Sequence, residues 1–321
     1  MKITALIAGL LIVVGILILF FMPSHIKAKE EVKREMTLSN SHFLTWRGAE
    51  IHYTDEGNGM PLLMIHGLGG SHRNFQKLAA EMKDQYRVIR VDLPGFGMSD
   101  FPAGEITDLP GVYRDFFVFF LDTLHIDSIH LMGNSMGGMM AWNIAAAQPE
   151  KVKTLTLLAS AGYELDKIAK VAARFTRFKF LEPILEKGIP MAVSEANADR
   201  IYADKTKVDL KEVYNNNVFW NREGNVQALM RLTSSGQYPD SSLIKTVQCP
   251  TLVIWGKEDE IVPYYHAEKF IRDIPNSKLV TYSPCGHVPM IEKTEEVKRD
   301  FEAFVKEVEL EAKAKTTALS N

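Results

Sequence analysis

The chain has 321 residues, a formal net charge of -3 and 24% charged residues. That balance excludes the basic excess that nucleic acid calls for, and the length suits one large domain, or one with an insertion. The two cysteines, Cys249 and Cys285, form neither a disulfide scaffold nor a zinc-site spacing, and both are expected as free thiols.

The first element is an almost unbroken apolar run from Ile3 to Met22 with no charge. As a helix, about 20 residues span about 30 Å, the thickness of a bilayer core. The run is longer than a usual signal-peptide core, and Ile26-Lys27-Ala28 is a poor cleavage site. A retained single-pass anchor within residues 1–28 is therefore expected, with a cleaved signal peptide as the rival. Lys27, Lys29, Lys33 and Arg34 follow the run and only Lys2 precedes it. The positive-inside rule then puts the large domain on the cytoplasmic side. Residues 29–41 read as a polar linker.

From His42 the pattern changes. Phe43–Trp46 and Glu50–Tyr53 alternate around Gly48 as a hairpin. Pro61–Ile65 and Tyr86–Val91 are short apolar runs, expected as buried strands. Asn74–Met82 and the Phe-rich Leu109–Leu124 read as helices. Further strands are expected over Ile129–Leu131, Val152–Leu158, Thr251–Trp255 and Lys278–Tyr282, and a helix over Glu295–Val308. Strands alternating with helices predict a mostly parallel sheet with helices on both faces. The alternation breaks between about Gly162 and Thr246, which is helical in pattern and predicts a cap over the sheet. Within it Ile168, Val171, Ala172, Phe175 and Phe178 recur at helical spacing beside Lys167, Lys170, Arg174 and Arg177. That is either a lid helix over the core or a basic amphipathic helix resting on a membrane. The predicted organisation is an anchor and flank (1–28), a linker (29–41), a core (42–161 and 247–310), a helical cap (162–246) and a polar tail (311–321).

The core is organised around Gly133-Asn134-Ser135-Met136-Gly137-Gly138. G-x-S-x-G between a strand and a helix lifts the serine hydroxyl clear of the sheet on a strained corner. It also sets the Met136 N–H at a helix N-terminus, where negative charge is favoured. A serine needs a base, and a histidine serves if a carboxylate fixes its tautomer. His287 follows the last predicted strand and Asp259 the one before it, both at the strand ends where open parallel sheets build their sites. Glu258 and Glu260 flank Asp259 as further carboxylates. Two oxyanion donors are expected, the N–H groups of Met136 and of Leu68 in the loop after Pro61–Ile65. His66 is expected to be a structural member of that loop.

These motifs, with His66-Gly67, Asp92-Leu93-Pro94-Gly95-Phe96-Gly97-Met98-Ser99 and Trp255-Gly256-Lys257-Glu258-Asp259, resemble those of the α/β-hydrolases from about His42 to Val308. The resemblance implies an α/β-hydrolase fold with Ser135 as nucleophile, His287 as base and Asp259 as acid. With the N-terminal run and the cap, the chain is similar to membrane-anchored monoacylglycerol lipases and bacterial lipases. Phe75 departs from the tryptophan that many relatives carry there, near the acyl site. The expected activity is hydrolysis of apolar carboxylic esters, such as acylglycerols, at a membrane surface, with no metal or organic cofactor. A carbon–carbon bond hydrolase of ring-cleavage products is the first rival, kept open by Arg174, Arg200, Arg222 and Arg231 in or near the cap. A ligand receptor on a hydrolase scaffold is the second.

Overall fold

The computed structural model describes residues 23–104, 108–164, 186–235, 237 and 239–319. In chain order the elements are α1 (Lys29–Met36), β1 (Ser41–Trp46), β2 (Ala49–Glu56), β3 (Met60–Ile65), α2 (Gln76–Met82), β4 (Tyr86–Val91), α3 (Leu109–Thr123), β5 (Ile129–Asn134), α4 (Met136–Ala147) and β6 (Val152–Leu158). The cap helices α5 (Met191–Ile201), α6 (Leu210–Trp220) and α7 (Asn225–Ser235) come next. They are followed by β7 (Thr251–Gly256), α8 (Tyr265–Asp273), β8 (Ser277–Tyr282), the short α9 (Pro289–Glu292) and α10 (Thr294–Leu319).

The strands form one sheet in the order β1-β2-β4-β3-β5-β6-β7-β8. The expected hairpin pairs β1 with β2 antiparallel, Leu44 facing Ile51, and β2 lies antiparallel to β4. Every later pair is parallel. Period-two alternation splits β3 between two cores. Leu63 and Ile65 join Phe116, Phe120, Trp142 and Phe270 on the face covered by α3, α4 and α8. Leu62 and Met64 join Leu78, Val297 and Phe301 under α2 and α10. Because both faces are buried, β3 reads in the sequence as a continuous apolar run. Phe75 belongs to the second core, and Cys249 and Cys285 are buried free thiols. α8 carries no prediction from the sequence. α10 continues past the predicted end at Val308 as an exposed helix.

The membrane-anchored reading is corrected here. Among the described residues no helix is long and apolar enough to cross a membrane. The run Ile3 to Met22 lies outside the described residues, as does the basic stretch 167–178. Three of the four cations read as an orientation signal have carboxylate partners in the structure. Lys27 pairs with Glu31 and Glu35, Lys29 with Asp100 and Lys33 with Glu50. The single-pass anchor, the membrane as partner, the membrane location with its cytoplasmic side and the likeness to membrane-anchored lipases are therefore withdrawn.

Residues 29–36, read as linker, form α1 on the domain surface. Val32 and Met36, four residues apart on one helix face, are 0% and 3% exposed against Met98, Val218 and Phe219. The chain before α1 is tied to the cap, with Lys27 N–H donating to Asn221 O (2.7 Å) and Glu223 N–H to Lys27 O (2.9 Å). Two apolar positions in a charged octet carry too weak a pattern to separate a docked helix from a solvated one.

If α1 is part of the domain, Val32→Ala should lower stability by about 1–2 kcal/mol through lost apolar burial. Chemical denaturation measures it. A change below about 0.3 kcal/mol would mean that α1 contributes no packing.

Candidate active site

β5 ends at Asn134 and α4 starts at Met136, so Ser135 alone makes the corner. Its φ of 55° and ψ of -118° lie outside the regions open to an ordinary side chain. The surrounding backbone holds it there. Ser135 N–H donates to Leu158 O, while Ser135 O accepts from Met139 and Ala161 N–H, each at 3.0 Å. A Cβ on Gly137 would overlap the carbonyl oxygens of Ile65 and His66, and one on Gly133 would overlap Gly137 O. These glycines let β3, the corner and α4 close on one another. The Ser135 side chain is half-buried. The first N–H groups of α4, Met136 among them, have no partner within the helix and face its positive pole.

The loop after β3 lies against this corner. A Cβ on Gly67 would stand 3.0 Å from Ser135 Cβ. His66 is fully buried, its Nδ1 2.8 Å from Gly67 O and its Nε2 accepting from Leu93 N–H at 3.0 Å. Burial lowers its pKa, which suits the neutral tautomer those two bonds require. With both ring nitrogens engaged, His66 is structural. Leu68, next to Gly67, is 47% exposed at the site mouth. From the cap, Trp220 Nε1 donates to Gly69 O, and its ring covers Gly69. A small cavity beside this loop is lined by Gly70, Phe96, Phe219, Trp220, Val226 and Leu229. A wider groove of about 760 Å³ involves Met60, Tyr86 and His130, at the opposite ends of β3, β4 and β5 from Ser135.

The structure brings His287 and Asp259 together, with Nδ1 2.8 Å from Oδ2. The other carboxylate oxygen accepts from Ile261 and Val262 N–H at 2.8 and 2.9 Å, which aims the acid at the ring. Glu260 is exposed. Asn134 Nδ2 donates to Leu158 O and to His287 O, both at 3.0 Å, so the residue before the serine ties the elbow to the histidine loop. Glu258 accepts from Ser283 Oγ (2.6 Å) and Cys285 N–H (2.9 Å), holding the same loop. In the sequence Asn134 has no role of its own within the motif, and Glu258 stands only as an alternative acid. For Asn134 the signal was its place inside the glycine motif; Glu258 offered none, because its partners lie on the next strand's loop.

His52, His72 and Asp92 form a buried cluster with potential metal ligands within 4.8 Å of one another. Hydrogen bonds account for the carboxylate. Oδ2 meets His52 Nδ1 (2.8 Å) and Met98 N–H (3.0 Å), and Oδ1 meets His72 N–H (2.6 Å) and His72 Nδ1 (3.0 Å). The donors fit a hub that fastens the loop after β4 to the turn after β3. Burial opposes the Asp92 charge, yet the facing imidazoles and their bonds hold its pKa well below the usual carboxylate range. Burial pushes His72 down from 6.5 to about 4, and His130 likewise. Of the cap arginines, Arg222 is buried on Asp100 (2.9 Å), Arg200 and Arg231 are exposed, and Arg174 lies outside the described residues.

Two outcomes are expected. Asp259→Asn should cut turnover about 1000-fold, since it sets the wrong tautomer on His287, and Glu260→Gln should leave turnover within about twofold. Steady-state kinetics decides; equal damage from both would move the acid off Asp259. The second concerns pH. Unfolded histidine binds a proton near pH 6.5, whereas folded His72 and His130 stay neutral down to about pH 4. The unfolded state therefore binds more protons in that window, and the melting temperature should fall as pH drops from 6.5 to 4. A flat melting profile across it would contradict the burial of neutral histidine.

Residues 60–294 match the family model described as alpha/beta hydrolase fold. Lipase 1 of Psychrobacter immobilis is 28% identical over 265 residues, 80% of this chain and 81% of that protein. The 2-hydroxy-6-oxo-6-(2'-aminophenyl)hexa-2,4-dienoic acid hydrolase of Metapseudomonas resinovorans is 28% identical over 84% of this chain and 92% of its own. Among solved structures, a bacterial membrane phospholipase A superposes with a TM-score of 0.72 at 25% identity, covering 96% of this chain and 99% of that one. The chain belongs to the α/β-hydrolase family, as a serine-hydrolase-like enzyme.

Proposed function

We propose that Ser135, His287 and Asp259 act as nucleophile, general base and orienting acid in the hydrolysis of a small, largely apolar carbonyl compound. The N–H groups of Leu68 and Met136 serve as the oxyanion hole. The observation that carries this reading is the strained Ser135 corner, whose neighbour Asn134 holds the loop of a histidine that is itself bonded to a buried carboxylate.

Ser135 Oγ attacks the carbonyl carbon while His287 Nε2 takes its proton. Asp259 accepts the Nδ1 proton, which keeps Nε2 an acceptor and stabilises the imidazolium. The oxyanion is received by the two backbone N–H groups. His287 then gives its proton to the leaving group, and in the second half activates water to release the acid and restore Ser135.

The bond to the leaving group is carbon–carbon in a ring-cleavage product and carbon–oxygen in an ester. The first is supported by the Metapseudomonas relative, and the chief reason for preferring a lipid ester lapses with the membrane anchor. The ester reading has its own support. An ionised dienoate asks for a cation, whereas Arg222 is engaged by Asp100 and the cavity beside the oxyanion loop is largely apolar.

The test is one panel, with a 2-hydroxy-6-oxo-6-phenylhexa-2,4-dienoate against p-nitrophenyl esters of increasing chain length. A higher kcat/KM on the dienoate is expected; the reverse order assigns the ester bond. No turnover of either by folded protein would favour a receptor. Ser135→Ala should lower kcat at least about 1000-fold with the fold intact. A Ser135→Ala protein with wild-type turnover would remove the nucleophile from the mechanism.

A further inference from the structure

Glu292 is a buried carboxylate, 4% exposed, at the end of α9, and the mechanism above does not use it. Its two oxygens are shared between two parts of the molecule. Oε1 accepts from Gly286 N–H at 2.7 Å, one residue before His287. Oε2 accepts from Ala203 and Asp204 N–H at 3.0 and 2.9 Å, in the turn that follows cap helix α5. The same turn accepts directly from the histidine loop, with His287 N–H donating to Ile201 O at 2.8 Å. The approach is close enough that a Cβ on Gly286 would overlap Ile201 O and crowd Ala203 N. The His287 main chain is thus fixed by the elbow through Asn134 on its carbonyl side, and by the cap on its amide side.

We propose that Glu292 is a positioning residue that latches the histidine loop to the cap, so that His287 is seated for proton transfer only while the turn after α5 is docked. The proposal rests on the reading of His287 as the general base. Its physical content is geometric. Glu292 accepts from three N–H groups, and a glutamine there presents an NH₂ donor to at least one of them whichever way the amide is turned. The loop then recoils, and His287 moves relative to Ser135. A misplacement on the order of 1 Å costs about 100-fold in turnover while leaving substrate contacts largely in place.

The experiment compares the full-length wild type with Glu292→Gln and Gly286→Ala. Gly286→Ala wedges the same interface and leaves the Glu292 carboxylate intact, so it decides the matter should Glu292→Gln fail to fold. Active sites are counted by the end point of labelling with a fluorophosphonate probe, and turnover of p-nitrophenyl butyrate is expressed per labelled site. The latch predicts that both variants label to completion but slowly, and that kcat per site falls about 10- to 100-fold with KM within about twofold. The downfield proton resonance of His287 Nδ1–H should shift or broaden in parallel. A purely structural role would lower the labelled fraction and leave kcat per site unchanged, and that result overturns the latch. A wild type that takes no label overturns the serine-hydrolase reading and the latch with it; a labelled wild type beside variants of unchanged kcat overturns the latch alone.

Discussion

The structure depends on one backbone corner. Ser135 stands at a φ of 55° because the ends of β3, β5 and β6 and the start of α4 converge on it, and each supplies something no side chain can. Leu158 and Ala161 bond its main chain, and Gly133 and Gly137 leave room for carbonyl groups to pass. Strain of this kind costs on the order of 1–3 kcal/mol and persists only where its surroundings over-determine it. The parallel sheet is that surrounding. Parallel strands buried on both faces cannot slip in register without exposing a core, so the strain cannot relax by moving a strand.

What the corner needs next is loops held at fixed positions, and acidic side chains hold them. Asp92 gathers the loop after β4 and the turn after β3. Exposed Glu258, in the loop after β7, and buried Glu292, in the helix that follows, fasten the loop that carries His287. Asp259 differs in kind, since one oxygen is spent on its own turn and the other on the ring. A buried carboxylate that accepts from several backbone N–H groups is a strong local clamp, because each bond is charge-assisted and water does not compete. The same burial lowers the pKa values of His66, His72 and His130 and so favours their neutral forms.

How much of this was legible follows from sequence distance. The strands announced themselves through apolar runs, and the elbow through glycines within five residues of the serine. Asp259 and His287 were legible because each follows a strand that the sheet order places at one edge. The clamps were not. Asn134 to His287, and Glu292 to Ala203, join residues far apart in the chain through bonds to backbone, and backbone leaves no mark on composition. The N-terminal flank misled for a related reason. Lys27, Lys29 and Lys33 look the same in sequence whether they meet lipid headgroups or the domain's own carboxylates, and here their partners are Glu35, Asp100 and Glu50.

That flank also changes what the cap is. A cap joined to the core only at its two ends would rock freely, as an insertion between strands commonly does. Here the chain before α1 hydrogen-bonds Asn221 and Glu223, Arg222 crosses to Asp100, and Lys29 reaches the same carboxylate. α1 presses Val32 and Met36 toward Val218 and Phe219, one residue from the tryptophan that rests on Gly69. The N-terminal helix thus braces the same cap helix that touches the loop after β3, and the end of α5 touches the histidine loop. Cap, flank and the loops that carry Gly69 and His287 share one network of contacts.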